Sequence, residues 1–356
     1  MTVRSSAKMR TFRAGLLGLA AFALVGCQNV FDGIDSNRGE VPLPTKLKAK
    51  MSAYGMKASS PIMIRIFKDE NVLEVWKQKD TGRYALLSEY EICKWSGKFG
   101  PKFKEGDKQA PEGFYTVAKH QLNPKSQYHL SFNMGFPNAY DRAHGRTGSH
   151  LMVHGACSSA GCYSMTDDRV EEIYALAREA LRGGQKAFQI QAFPFRMTPE
   201  NMHKHRDHKH AEFWNMLKEG YDHFEITRTP PKVDVCGKRY RFNTVGSGKF
   251  VPTQACPTMA MPESLAVAYT KRQEDFTKRF EALVAKSENR EPRALAPMTP
   301  QEALPGINII VPKPEVVEPP KQPEPTQTVT TAPATAQNAV APVTATSNEA
   351  TGTVAQ

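Results

Sequence analysis

From Pro61 onward, "PIMIRIF" sets apolar residues at alternate positions, Asp69-Glu70-Asn71 supplies turn chemistry, and "VLEVWKQ" alternates again, which predicts a β-hairpin. "RYALLSEYEIC", "GFYTVAKHQL", "YHLSFNM" and "HLMVHG" are further short strand candidates, and "KAFQIQAFPF" returns to the same period later in the chain. Helical spacing appears in "RVEEIYALAREALRGG", where Val170, Ile173, Tyr174, Ala177 and Leu181 share a face. Thr166-Asp167-Asp168 precede this helix and a glycine pair closes it. Thr198-Pro199-Glu200 opens a long polar helix that continues through "HAEFWNMLKEGYDHF". "ESLAVAYTKRQEDFTKRFEALVAKS" is a last amphipathic helix, expected outside the sheet domain and against its surface. The pattern predicts a mainly β (α+β) domain, a curled or sandwiched sheet with peripheral helices.

Both ends of the chain break these periods. Residues 1–26 place Arg4, Lys8, Arg10 and Arg13 ahead of an apolar run too short to span a bilayer, the form of an export signal. The run ends at Leu24-Val25-Gly26-Cys27, which resembles a bacterial lipobox and implies a mature chain that starts at a lipidated Cys27. Several acyl chains, at about 0.8 kcal/mol per buried CH₂, would anchor it stably. Gln28 rather than Asp after the cysteine directs the expectation to the periplasmic leaflet of the outer membrane. Residues 27–60 read as a lipidated N-terminus and tether, with a Lys-rich stretch able to open a short helix. Residues 293–356, rich in Pro, Thr, Ala, Val and Gln, read as a disordered tail. Between them lie a sheet-rich domain at 61–196 and a helical extension at 197–292 that holds Cys236 and Cys256.

The 356 residues carry a formal net charge of +11. The acidic excess of the tail nearly offsets the basic leader, so the charge belongs to the ordered middle and calls for an anionic neighbour. Nucleic acid does not suit an exported chain, which leaves lipid or cell-wall polymer. Of the six cysteines, lipidation of Cys27 leaves five in an oxidising compartment and therefore one thiol over. Cys236 and Cys256 bracket a strand-like stretch with Gly-rich turns and are the pair to join, a closure that contributes about 3 kcal/mol on the chain-entropy model. Cys93 with Cys157 is a possible second pair.

"HGACSSAGCYSMTD", residues 154–167, concentrates the chemistry. A zinc site needs about four ligands, whereas His154, Cys157 and Cys162 supply at most three, so neither metal nor cofactor is expected. As nucleophile chemistry the stretch makes more sense. Gly161 permits a tight turn that exposes Cys162, backbone N–H groups there can stabilise an oxyanion, and His154 at a strand end can exchange the proton and hold a thiolate by ion pairing.

"LMVHGACSSAGCYSMTD" resembles the active-site segment of the L,D-transpeptidase (YkuD-domain) family, whose hallmark is H-G followed by S-x-G-C, here His154-Gly155 and Ser159-Ala160-Gly161-Cys162. The likeness is nearest the YafK-like branch and extends from about Pro61 beyond Phe224 through "SGKFGPKFKEGDKQAPEGFYTV", "QLNPKSQYHLSFNMGFPNAYDRAHGRTGS" and "FWNMLKEGYDHFE". It implies a YkuD-like catalytic domain with Cys162 as nucleophile, His154 as proton donor and acceptor, and Ser159 and Gly161 shaping the turn. It also implies a thioester at the diamino acid of a peptidoglycan stem peptide. An amine acceptor then gives a 3-3 cross-link or attaches a protein, water makes the enzyme an amidase that releases a stem peptide or a wall-linked lipoprotein, and a chain without catalysis would only bind peptidoglycan. Ala160 and Ser164 stand where most of the family has histidine and arginine, and the spacer is shorter, which leaves these alternatives open. Asp141, Arg142 and Arg146 are candidates for the charged ends of the stem peptide, as are the lysines of "CKWSGKFGPKFKEGDK". His129 and His144 are candidates to orient His154. His203, His205, His208 and His210 fall close together, and His205 with His208, or His203 with His210, could share one helical face, either as metal ligands or as a solvated polar face.

Overall fold

The computed structural model describes residues 37–312, so the export signal, Cys27 and most of the proline-rich tail lie outside the described residues. Two five-stranded sheets are built from β1 (Ile62–Phe67), β2 (Val72–Gln78), β3 (Tyr84–Glu91), β4 (Lys94–Trp95), β5 (Gly113–Ala118), β6 (Leu122–Asn123), β7 (Ser131–Asn133), β8 (Met152–His154), β9 (Tyr163–Ser164) and β10 (Ala187–Phe193). The first sheet has the order β3-β2-β1-β10-β5 and the second β4-β9-β8-β7-β6. β1 with β10 and β8 with β9 are parallel pairs, and the other neighbours are antiparallel. The helices are α1 (Thr45–Ala53), α2 (Ala139–Ala143), α3 (Asp167–Arg182), α4 (Pro199–Lys204), α5 (Ala211–Thr227), α6 (Glu263–Ser287) and α7 (Pro300–Ala303). No helix among the described residues is long and apolar enough to cross a membrane.

Alternation in β1 sends its two sets of side chains into two different cores. Ile62, Ile64 and Ile66 join Val117, Phe132, Val153, Tyr163 and the apolar face of α3 in the core shared by both sheets. Phe67 faces the other way, against Phe193, Trp214, Leu217 and Tyr221 beneath α5. Arg65 is carried to the same side, where it pairs with Glu225 at 2.6 Å and lies 4.1 Å from the Tyr221 ring centre. The close approach of α5 to the hairpin of β11 (Val233–Cys236) and β12 (Arg239–Phe242) requires Gly220, because a Cβ there would sit 2.5 Å from Phe114 and Phe242.

The domain boundaries set by composition shift at both ends. The tether is part of the fold: Leu43, Leu47 and Met51 are buried in the main core, and the Gly39 and Val41 carbonyls accept hydrogen bonds from Arg178 at 2.6 and 3.0 Å. The expected disorder does not begin at 293. Thr299 and Glu302 form a capping box on α7. After it, β15 (Ile307–Ile310) pairs in parallel with β14 (Met259–Pro262), which is antiparallel to the short β13 (Val245–Gly246). Apolar "ALPGINII" supplies Leu304 and Ile307 to a small core with Met259 and Met261, which average composition concealed.

The long helix expected from Thr198 is also broken, between α4 and α5. In the gap His205 stacks on Phe195 (ring centres 4.6 Å apart) and His208 on Trp214 (4.5 Å), so the segment buries its rings against aromatic partners instead of lining up on one helix. α6 lies against α4 and α5, with Phe276 and Phe280 packed on the outer core.

Candidate active site

The second sheet brings the His154-Gly155 dipeptide and Cys162 to neighbouring strands. β8 ends at His154, and Val153 pairs with Tyr163 of the parallel neighbour β9, so Cys162 enters the sheet beside Met152. The Met152 N–H points at Cys162 Sγ over 3.4 Å, and the thiol donates to the His150 carbonyl at 3.7 Å. Alternation puts Met152 and His154 on one face. That face floors a cleft of about 620 Å³ whose lining includes His150, Met152, His154, Ser159, Ala160 and Cys162.

The turn before Cys162 is organised by one hydroxyl. Ser159 Oγ donates to the Cys162 carbonyl (2.7 Å), receives the Gly161 and Cys162 amides (3.4 and 3.2 Å), and meets Ser96 Oγ at 2.7 Å. Gly161 has φ +127°, a conformation that favours glycine. On the other side of the cleft, the Gly155 amide is held by the Tyr128 carbonyl at 3.0 Å and the Ala156 amide by Asp167 at 2.7 Å. A Cβ on Gly155 would meet Asp167 Oδ1 at 2.5 Å, which explains glycine after His154. Ala156 and Cys157 both take positive φ, and Cys157 is tied to Cys93 by a disulfide with a Cα separation of 5.4 Å. Cys236 and Cys256 form the second disulfide, and Cys162 is the free thiol among the described cysteines.

Hydrogen bonding fixes the imidazole. His154 Nδ1 lies 2.6 Å from the Gly155 carbonyl, which can only accept, so Nδ1 carries the proton and Nε2 is left as the basic nitrogen. The Tyr128 ring packs 4.8 Å from it. Burial lowers the His154 pKa, against the hydrogen bond to Gly155. Burial raises the Cys162 thiol, against the Met152 amide and the charge of Lys102. Both shifts run against the expected ion-paired thiolate, because desolvation outweighs the interactions that favour charge.

Other candidates are turned away from the cleft. Asp141 is fully buried, caps α2 through Asn138, and pairs with Arg146 at 2.8 Å, while the Arg146 guanidinium covers the Tyr140 and Phe213 rings. Arg142 donates to the Pro137 carbonyl. Asp141 and Arg146 are buried together, Arg142 is exposed, and none of the three lines the cleft. Lys102 is spent on Asp107 at 2.5 Å. His129 meets Glu171 at 2.6 Å, and His144 meets its own helix at the Tyr140 carbonyl. No group of three or more His, Cys, Asp or Glu among the described residues could hold a metal ion, and the His203 to His210 run is taken up by stacking.

Sequence reasoning passed over Asn123, Lys125, Tyr128, Ser131 and His150, which also line the cleft. For His150 the signal was its two-residue spacing from Met152 and His154 in "HLMVHG", whereas Asn123 and Ser131 are readable only once the pairing of β6, β7 and β8 is known.

Against known proteins, the L,D-transpeptidase catalytic domain (YkuD) matches residues 63–187, the span from β1 to the start of β10. The Escherichia coli (strain K12) protein named "Putative L,D-transpeptidase YafK" is 41% identical over 246 residues, which cover 69% of this chain and 97% of that protein. The chain belongs to the L,D-transpeptidase family. A solved structure of the helical cell shape determining protein Pgp2 from Campylobacter jejuni is similar at 18% identity over 53% of this chain and 79% of that one, with a TM-score of 0.31. Bdellovibrio bacteriovorus Bd1075 is similar at 24% identity over 39% of this chain and 49% of that one, with a TM-score of 0.27. In this member of the L,D-transpeptidase family, Ala160 borders the cleft without a ring, and Ser164 is buried with its hydroxyl on the Lys94 carbonyl at 2.8 Å.

Proposed function

We propose that this protein is a peptidoglycan-modifying cysteine acyltransferase that works through Cys162 and His154. The observation that carries the reading is a single free thiol among the described cysteines, sharing a cleft floor with an imidazole whose basic nitrogen is Nε2. Cys162 Sγ attacks the carbonyl of the diamino acid in a stem peptide while His154 Nε2 takes the thiol proton. His154 then returns the proton to the leaving amine, and a thioester remains. The Gly161 and Cys162 amides reach Ser159 Oγ over long bonds, so a developing oxyanion can compete for them. Attack by an amine on the thioester gives a 3-3 cross-link or a protein attachment. Lipid on Cys27 would hold the enzyme at the outer membrane facing the periplasm, with the tail reaching into the wall.

Hydrolysis is the second reading, favoured by Ala160 and the buried Ser164: neither offers a charge beside Cys162 to anchor a second stem peptide. Incubating residues 28–356 with isolated sacculi and with soluble tetrapeptide muropeptides, followed by mass spectrometry, separates the two. New 3-3 dimers that are missing with Cys162→Ala establish transfer, and released tripeptides or freed protein fragments that are likewise missing establish hydrolysis. Identical products from the two proteins would sink catalysis and leave a wall-binding lipoprotein.

A further inference from the structure

Beyond His154, on the side away from Cys162, a polar row crosses the second sheet. Asn123 pairs with Ser131 between β6 and β7, and Ser131 pairs with His154 between β7 and β8. Directly opposed residues project to the same face with Cβ atoms roughly 5 Å apart, and all three line the cleft. Ser131 is 1% exposed, yet its hydroxyl has no hydrogen-bond partner among the described residues. A buried hydroxyl in that state is unfavourable unless a ligand completes it. Ser164, at the opposite end of the same row, donates to the Lys94 carbonyl, so of the two serines in the row it is the Ser131 hydroxyl that has no partner among the described residues. At the rim past Asn123, Lys125 is exposed, its amide is held by Asn123 Oδ1 at 3.1 Å, and its ammonium has no ion-pair partner among the described residues.

We propose that this row is the donor-peptide subsite. The Ser131 hydroxyl bonds a backbone amide of the bound peptide and Lys125 takes one of its carboxylates, so the peptide lies across the strands with its reacting carbonyl at Cys162. The span agrees: from β9 to β6 is three strand spacings, about 14 Å, which an extended peptide covers in about four residues. The assignment rests on the acyl-transfer reading and specifies which side of His154 holds the donor.

Calorimetric binding of a soluble disaccharide tetrapeptide to Cys162→Ala protein tests it without turnover. Adding Ser131→Ala is expected to weaken binding about fivefold with no loss of thermal stability, because the hydroxyl has no hydrogen bond among the described residues to lose. Adding Lys125→Gln is expected to weaken binding about tenfold for the free-carboxylate peptide and to leave an analogue with amidated carboxylates unaffected. Unchanged affinities in both variants would overturn the subsite. If wild-type protein still forms an acyl-enzyme in that case, the subsite alone falls. No acyl-enzyme in wild type together with no binding to Cys162→Ala would remove the acyl-transfer reading, and the subsite with it.

Discussion

Burial moves Cys162 and His154 in opposite directions on the pKa scale, and both shifts favour the neutral form. In the proposed mechanism the resting site is a neutral thiol sharing the cleft with a neutral imidazole, and the proton moves as sulfur attacks. In that mechanism His154 must be neutral to act, and burial lowers its pKa, so the acid limb of kcat/KM is expected at lower pH than an ordinary histidine would give. Burial pushes the thiol pKa above its ordinary value, so alkylation of the free enzyme should be slow at neutral pH and keep accelerating with pH through the range where an ordinary thiol levels off. The pH profile of kcat/KM checks the first statement and ultraviolet thiolate absorbance the second, which a thiolate already formed at neutral pH would contradict. The proposed nucleophile and base were legible in sequence because H-G and S-x-G-C lie close together. The protonation state was not, since it depends on burial that only the assembled sheets create.

Among the elements, the loop from Gly155 to Gly161 depends on its attachments. The Cys93 disulfide, the Asp167 carboxylate and the Met165 carbonyl hold a segment with two consecutive positive-φ residues that connects His154 to Cys162. Replacing Cys93 and Cys157 by serine is expected to lower kcat/KM by on the order of 10–100-fold, because small displacements of reacting groups are costly. The Cys236→Ser, Cys256→Ser double variant should keep kcat/KM within about twofold of wild type while losing about 3 kcal/mol of stability. Steady-state kinetics and urea unfolding of the two pairs check the contrast, and equal kinetic losses would show that the first disulfide has no special relation to the site. Joining Cys93 to Cys157 was only one option in sequence because the pair is 64 residues apart and meets through the β4–β9 contact. β1 and α3, with clear periods, were legible. The break between α4 and α5 was not, because His205 and His208 gain aromatic partners from elsewhere in the chain.

At the scale of the whole molecule, stability is tied to buried histidines outside the cleft. His223 on α5 is fully buried, bonds Asn243 at 3.2 Å through Nδ1 and packs edge-on to Tyr269; burial pushes its pKa down to about 4. The unfolded chain protonates this ring near 6.5, so its contribution is complete above pH 6.5 and is lost as pH falls towards 4, by about 3 kcal/mol. His205 and His210 shift in the same direction. Urea unfolding over that pH range is expected to show the decline, and His223→Gln should flatten it; an unchanged slope in the variant would assign the decline elsewhere. Fold class was readable from alternation alone, whereas domain limits were not, because Leu47, Met51, Leu304 and Ile307 are sparse apolar residues in polar or proline-rich surroundings. The central claim, a thioester on Cys162 formed with the help of His154, is tested most directly by intact-mass spectrometry of the wild type, Cys162→Ala and His154→Ala mixed with soluble tetrapeptide. The account predicts an acyl adduct that peptide mapping puts on Cys162, absent from Cys162→Ala and formed about 10²–10⁴-fold more slowly in His154→Ala; an adduct that persists in Cys162→Ala would contradict it.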